Sequence, residues 1–306
     1  MRDDRRMKVS FLRSLWCVCC GTGIFPVLRG HSTLRTLWHL LLMSLVVGTI
    51  IEFGIRSRLG AGLAGCRRDF TAAFGNSIRL SERGIAPEKR PQTPFFMALP
   101  AGGGLFYTAE GRGIEFPKGF FECHNYFLVW SDVLLAAASR SGDGEWQIQL
   151  VDPTQNMRIV RSDGNGIPAL FASRLRRGAA KWDLPEARIG TADMFKFIRR
   201  SVVVMTFFTE VLGCFLLALV CTGCFALLSR LTGAAALRGL TGWAYWRVGV
   251  YAGFPGMLIG GVCEALELPY VSYGIIYATA LVLYWLPASL ACVDDGGEAG
   301  GTRKDA

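Results

Sequence analysis

Four long apolar stretches dominate the hydropathy pattern of this chain. They cover residues 37–55, 202–228, 248–266 and 271–292. A helix needs roughly 20 apolar residues to cross a bilayer, and each stretch is close to that length. The pattern therefore predicts a membrane α-helical fold with four transmembrane helices.

The segment between the first two stretches has a mixed pattern. Short apolar runs, separated by glycine-rich breaks, occur at 95–99, 105–108, 113–116, 133–138, 146–151 and 157–160. Runs of this length are typical of β-strands. In one of them Trp146, Ile148 and Leu150 alternate with glutamines, as in a strand with one buried face. We therefore expect an inserted α+β domain with a small antiparallel sheet.

Other local signals surround this predicted sheet. Apolar residues at helical spacing predict an amphipathic helix at 67–83, and the polar, proline-containing segment 85–93 is typical of a linker. The segment 141–144, with two glycines, predicts a hairpin loop. Thr191 can cap a helix that continues into the second apolar stretch.

These patterns divide the chain into five segments. The predicted order is a cytoplasmic, partly interfacial N-terminal segment (1–35), transmembrane helix 1 (36–55), an extracytoplasmic α+β domain (56–200), a three-helix transmembrane region (201–292) and a polar C-terminal tail (293–306). The N-terminal part 10–28 is expected to lie along the inner membrane surface. The mean hydropathy of +0.33 is too high for an ordinary soluble protein.

The basic residues predict an orientation rather than a nucleic-acid site. The net charge is +9, but the basic runs are no longer than two residues and lack interleaved aromatic residues. Seven Lys and Arg residues precede the first stretch and three lie between the second and third, against none between the third and fourth. Since basic loops stay in the cytoplasm, we expect both termini to lie there. The protein itself is expected in a bacterial inner (plasma) membrane.

Glycines in the third stretch predict a helix-packing face. At spacings of four, three and four, one side of the helix carries Gly249, Gly253, Gly256 and Gly260. Glycine lets a second helix approach closely, and such packing holds helices together in lipid. The partner could be another helix of this chain or a second copy. Pro255 is expected to kink the span.

One carboxylate lies well inside an apolar stretch. Glu210 is ten residues past Arg200, and an acid within the membrane is by default a candidate functional residue. If the span begins late, Glu210 instead lies at the headgroups, and the residues leave both alternatives open. Glu52 and Glu264 lie near the outer span ends and are expected to be wetted.

No catalytic, metal-binding or cofactor-binding constellation is visible. The chain has three histidines, and Gly102–Gly104 lacks the Lys-Ser/Thr of a phosphate-binding loop. Of the ten cysteines, only Cys66 and Cys123 lie in the external domain, where they are a candidate disulfide. We therefore expect no enzymatic activity and no cofactor.

Three stretches carry a family resemblance. The first is 26–29, which leads into the span at 37–51, and the second is the region 94–152, which ends in Leu-Val-Asp-Pro. The third is 245–255, where Tyr-Trp-Arg leads into a helix with a mid-span proline. In these the chain resembles bacterial multipass membrane proteins of unknown function allied to the Yip (Ypt-interacting protein) superfamily. The resemblance implies an anchor helix, an external domain and a C-terminal helix cluster. It implies no catalytic residues.

Together these features predict an integral membrane protein that is not an enzyme. Its external domain would bind a ligand or partner, and its helices would anchor it and relay that contact. The expected partners are the lipid bilayer and either a second copy or another membrane protein, with no nucleic acid. The alternative is a channel or transporter component that uses Glu210.

Overall fold

The structure is a computed structural model. It describes residues 9–81, 84–92, 94–99, 102–108, 124–131, 134–140, 146–151, 158–162, 186–233, 240–268 and 272–297. Within these ranges the chain divides into two compact units. The helical unit comprises Met1–Ser57 and Val202–Ala306, and the sheet unit comprises Arg58–Ser201.

Seven helices are present in the described ranges. In chain order they are α1 (Phe11–Cys20), α2 (Phe25–Leu28), α3 (Thr33–Phe74), α4 (Thr191–Leu231), α5 (Gly242–Ala252), α6 (Phe254–Ala265) and α7 (Tyr273–Gly297). Four segments are long and apolar enough to cross a membrane, namely α3, α4, α5 with α6, and α7. The predicted set of four long apolar helices, together with a sheet region, is thus confirmed.

The short N-terminal helices belong to the core of the helical unit. Val18, Phe25 and Leu28 are completely buried in it. Helix α1 contacts α5 and α6, and α2 contacts α5 and α7. That 10–28 lies along the inner membrane surface stays a prediction, and it did not include this packing. Only the opposite side of α1 is open, where Leu12 and Trp16 are each 74% exposed.

The third apolar stretch forms two helices rather than one. Helix α5 ends at Ala252 and α6 begins at Phe254, with Gly253 between them in a helical conformation. Pro255 has no N–H to donate to the preceding turn, so the helical hydrogen bonding is interrupted there. The expected kink is therefore present as a break at Gly253.

In the described part of the sheet unit, the strands form two sheets. Its strands are β1 (Ser77–Ser81), β2 (Gly84–Pro87), β3 (Phe95–Leu99), β4 (Gly103–Tyr107), β5 (Tyr126–Ser131), β6 (Leu134–Arg140), β7 (Trp146–Val151), β8 (Arg158–Ser162) and β9 (Ala187–Gly190). The smaller sheet has the order β2-β1-β9, and the larger runs from β3 to β8 in sequence order. All pairs are antiparallel except β4 with β5, which is parallel, so the prediction of an antiparallel sheet was incomplete.

An aromatic cluster forms the core of the sheet unit. Phe74 lies on α3, and its ring centroid is 5.2 Å from that of Tyr107 and 5.0 Å from that of Trp130. Phe70 stacks parallel to Trp130 at 6.0 Å. The C-terminal part of α3 therefore packs on the sheet residues through aromatic side chains.

The local predictions around the sheets had different outcomes. The helix expected at 67–83 ends at Phe74, because Gly75 adopts a positive φ of 89° and the chain continues into β1. The expected linker 85–93 contains most of β2. The hairpin at 141–144 is supported by the antiparallel pairing of β6 with β7, although its loop lies outside the described residues. The strand expected at 113–116 also lies outside them.

Candidate functional site

The four glycines of the third span all lie against α7. A Cβ atom added at Gly249 would meet the side chain of Trp285, and one added at Gly253 would meet Tyr277. A Cβ atom added at Gly256 would meet Ala280, and one added at Gly260 would meet Tyr273. At Gly256 the added atom would lie 2.8 Å from the Cβ of Ala280. The glycines therefore let α5 and α6 approach α7 more closely than any side chain would allow. The neighbour on this face is a helix of the same chain.

Glu52, rather than Glu210, is the most buried acid among the described residues. Its side chain is only 8% exposed, although we predicted that it is wetted. The Thr206 hydroxyl on α4 donates a hydrogen bond of 2.8 Å to its Oε2 atom. Its Oε1 atom is buried without a hydrogen-bond partner. Elsewhere on α3, a Cβ at Gly54 would overlap the backbone of Ala265, so α3 also packs closely on α6.

Glu210 is half-buried on α4. Glu264 and Glu52 are its charged neighbours, and both are acids. One carboxylate from α3 and one from α6 therefore act electrostatically on Glu210 of α4, although Glu264 is itself exposed. Only Glu210 of these three was singled out from the sequence, because Glu52 and Glu264 lie near the ends of their apolar stretches.

Two histidines and a tyrosine form a buried polar cluster in the helical unit. Tyr251 is completely buried, and its hydroxyl lies 2.8 Å from Nδ1 of His31 and 3.0 Å from Nδ1 of His39. The three rings pack edge to face, with centroids 5.7–5.8 Å apart. The hydroxyl can donate to one imidazole and accept from the other, so both contacts are satisfied at once.

Two arginines surround this histidine–tyrosine cluster. Arg247 donates to the carbonyl oxygen of His31, and Arg35 donates to that of Val9. Burial lowers the pKa of His31 to about 4, and the positive charges of Arg35 and Arg247 act in the same direction. His31 is thereby kept neutral at physiological pH, and its Nε2 atom is buried without a hydrogen-bond partner. The cluster contributes buried polar contacts to the helical unit. The histidine–tyrosine cluster was not predicted from the sequence, because residues 31 and 251 are far apart along the chain.

In the sheet unit, the end of α3 is joined to the start of α4. Strand β1 follows α3 and pairs with β9, which leads directly into α4. The Thr191 hydroxyl donates to the Gly75 carbonyl at 3.0 Å, and the Thr191 N–H donates to Asn76 at 2.7 Å. We call the segments 75–77 and 188–191, with Glu88, the β1–β9 junction.

A polar network completes the β1–β9 junction. Arg188 donates to Ser77 Oγ at 2.7 Å and forms an ion pair with Glu88. Ser77 in turn donates to Glu88 Oε2 at 3.1 Å. This hydrogen bond from Ser77 lowers the pKa of Glu88, and the Arg188 charge adds to the effect. The groups are bonded to one another, which is typical of a structural link rather than of a reactive site.

The candidate disulfide stays a prediction. Cys66 is a buried free thiol in the sheet unit, and Cys123 lies outside the described residues. In the part of the chain that the structure describes, no group of three or more His, Cys, Asp or Glu residues is arranged to hold a metal ion.

Comparisons with known proteins identify no relative. No protein-family model, curated protein or solved structure matches this chain. The resemblance to Yip-allied proteins therefore stays a prediction, and the function has to be argued from the geometry alone.

Proposed function

We propose that this chain is a non-enzymatic integral membrane protein whose sheet unit lies outside the membrane and binds a ligand or partner. Its helices would anchor the sheet unit and relay the binding event. The observation that carries this proposal is the β1–β9 junction. Because β1 follows α3 and β9 precedes α4, a change in the pairing of these strands acts on both helices.

The continuity of the two helices supports the relay. Helix α3 runs from Thr33 to Phe74 and α4 from Thr191 to Leu231, and each contains one of the apolar windows that could span a membrane. In the sheet unit the rings of Phe70 on α3 and Phe195 on α4 are 5.7 Å apart. Each of the two helices is thus continuous from its apolar window to the junction.

Photocrosslinking in intact cells tests the binding role. A photoreactive amino acid would replace Phe96 or Ile189, which are 38% and 39% exposed in the sheet unit. The matched control is Leu283 on α7, which is 71% exposed in the helical unit. We expect the same non-lipid adduct at both sheet-unit positions and lipid adducts at the control. No adduct, or lipid alone, at both sheet-unit positions would contradict the proposal.

The relay can be tested on the crosslinked protein. Cys224 is an exposed free thiol on α4 of the helical unit. Its rate of maleimide labelling, followed by peptide mass spectrometry, should differ between crosslinked and free chains. The variant Thr191→Val, which removes the hydrogen bond to Gly75, should reduce that difference. Equal labelling rates with and without the adduct would remove the relay from the proposal.

A second candidate function, passage of protons or cations, is favoured by the three carboxylates. Glu52 has a buried oxygen without a partner, and among the described residues the charged groups that act on Glu210 are the two acids Glu52 and Glu264. Such acids mark ion pathways in membrane proteins. Glu210→Gln and Glu52→Gln should then each abolish flux into liposomes, while Glu267→Gln, at the exposed end of the third span, should not. Unaltered flux in the first two variants would exclude this candidate.

A further inference from the structure

We propose that the helical unit binds an anionic phospholipid in a groove between α3, α4 and α5. The groove is a cavity of about 880 Å³, within the size range of small-molecule sites in proteins. Its walls are mainly apolar, and one basic side chain lies among the lining residues. These include Thr33, Gly223, Leu227, Arg230, Trp243 and Trp246.

The charge of the groove selects an anion. Arg230 is exposed in the last turn of α4, and no acidic side chain lines the cavity in the part of the chain that the structure describes. Helices α3 and α5 both begin here, with Thr33 and Gly242 among the lining residues, and each helix N-terminus carries a partial positive charge. The partial negative charge at the C-terminus of α4 offsets only part of the positive charge from Arg230 and the two helix N-termini. A phosphate group between these elements would be stabilised.

The apolar side chains that line the groove favour contact with lipid acyl chains. Leu227 is 58% exposed and Trp243 is 65% exposed, so the groove opens with apolar side chains at its edge. Tryptophan is enriched at the level of lipid headgroups, where its ring contacts both apolar and polar groups. The apolar part of a lipid can therefore lie along α4 while its phosphate reaches Arg230.

The position of the groove matches the expected topology. Arg230 begins the basic segment between the second and third spans, which the charge distribution places in the cytoplasm. Anionic lipids attract basic side chains next to the membrane at that face. We therefore commit to a glycerophospholipid of the inner leaflet as the occupant, rather than to a soluble phosphate or a second copy of the chain.

Native mass spectrometry of the purified full chain tests this site. The protein would be incubated with equal amounts of dioleoyl phosphatidylglycerol and dioleoyl phosphatidylcholine in detergent, and the ratio of bound lipids measured. We expect a preference for phosphatidylglycerol. Arg230→Gln should lower this preference by about three- to tenfold, because one charge-assisted hydrogen bond is lost. Arg200→Gln, an exposed arginine nearer the other end of α4, should leave it unchanged.

A second variant tests the shape of the groove. A Cβ at Gly223 meets no atom within 4 Å, so the first carbon of Gly223→Leu has open space and the rest of the side chain would occupy the groove. It should reduce retention of both lipids. Gly213→Leu on the same helix also meets open space but does not line the groove, and should retain lipid normally.

Three results would overturn the lipid site. One is an unchanged lipid ratio in Arg230→Gln. Another is an equal effect of Arg200→Gln, which would indicate general attraction to positive charge. The third is a changed oligomeric mass in Gly223→Leu with normal lipid retention, which would assign the groove to a second copy of the chain.

Discussion

At the scale of residues, two buried tyrosine hydroxyls differ in whether they have hydrogen-bond partners, and Tyr251 is the one that has them. It bonds two histidines, whereas the buried Tyr277 hydroxyl in the same unit has no partner. Both tyrosines are almost fully buried. A buried polar group stabilises a fold only when its hydrogen bonds are made.

This difference predicts opposite responses to the same substitution. Tyr251→Phe should lower the free energy of unfolding by about 1–3 kcal/mol, since it leaves two buried imidazole nitrogens without their partner. Tyr277→Phe removes an unpartnered hydroxyl and should be neutral or stabilising. Unfolding by titration with sodium dodecyl sulfate measures both. Equal changes in the two variants would contradict the predicted difference between the two hydroxyls.

His31 predicts a pH dependence of stability. Burial lowers its folded-state pKa to about 4, below the value of about 6.5 for an exposed histidine, so the unfolded chain binds more protons between these values. The stability that neutral His31 contributes to the fold is therefore fully present above about pH 6.5 and is lost as the pH falls towards 4. The melting temperature of the native protein should drop over this range. In His31→Gln the drop should be smaller.

The control for this measurement is His124→Gln in the sheet unit. That variant should keep the pH dependence of the native protein, because His124 is not part of the histidine–tyrosine cluster. A slope that is identical in all three proteins would contradict the role of His31.

At the scale of elements, helix length and apolar length are different quantities. The first apolar stretch predicts a span at 36–55, but α3 runs from Thr33 to Phe74. Hydropathy reports how much of a helix lipid can surround, while the helix continues as long as its backbone bonds and packing permit. The aromatic residues at the end of α3 continue the helix because they pack on Tyr107 and Trp130.

The glycine face predicts a strong effect of added side chains. Gly256→Leu should destabilise the helical unit by about 1–3 kcal/mol or more, because its first added carbon would already overlap Ala280 on α7. Gly253→Leu should behave similarly, since it meets the Tyr277 ring. Gly213→Leu is the control and should cost little. Detergent unfolding together with gel filtration measures the effect; native-like stability in Gly256→Leu would show that α6 and α7 are not packed this way.

At the scale of the whole molecule, the prediction that matters most is the side on which each segment lies. Protease added to intact cells, after the outer envelope is opened, should cleave the sheet unit. Epitope tags placed before Met1 and after Ala306 should resist it until the membrane is lysed, because basic loops remain in the cytoplasm. A tag at either end that is cleaved in intact cells would reverse or abolish the predicted topology.

The sequence alone determined that the chain has four long apolar helices and a region of strands, and where along the chain they occur. Four apolar stretches, a region of short strands and a one-sided row of glycines are all local signals, since each depends on residues close together in the chain. Helix and strand periodicities could therefore be recognised without any knowledge of the fold.

Tertiary structure alone decided which distant residues meet. It joined His31 and His39 to Tyr251, buried Glu52 against Thr206, and paired β1 with β9 across more than a hundred residues. Burial and hydrogen bonding depend on neighbours brought together by packing, and no local pattern encodes them. For that reason Glu52 was predicted to be wetted and is in fact enclosed.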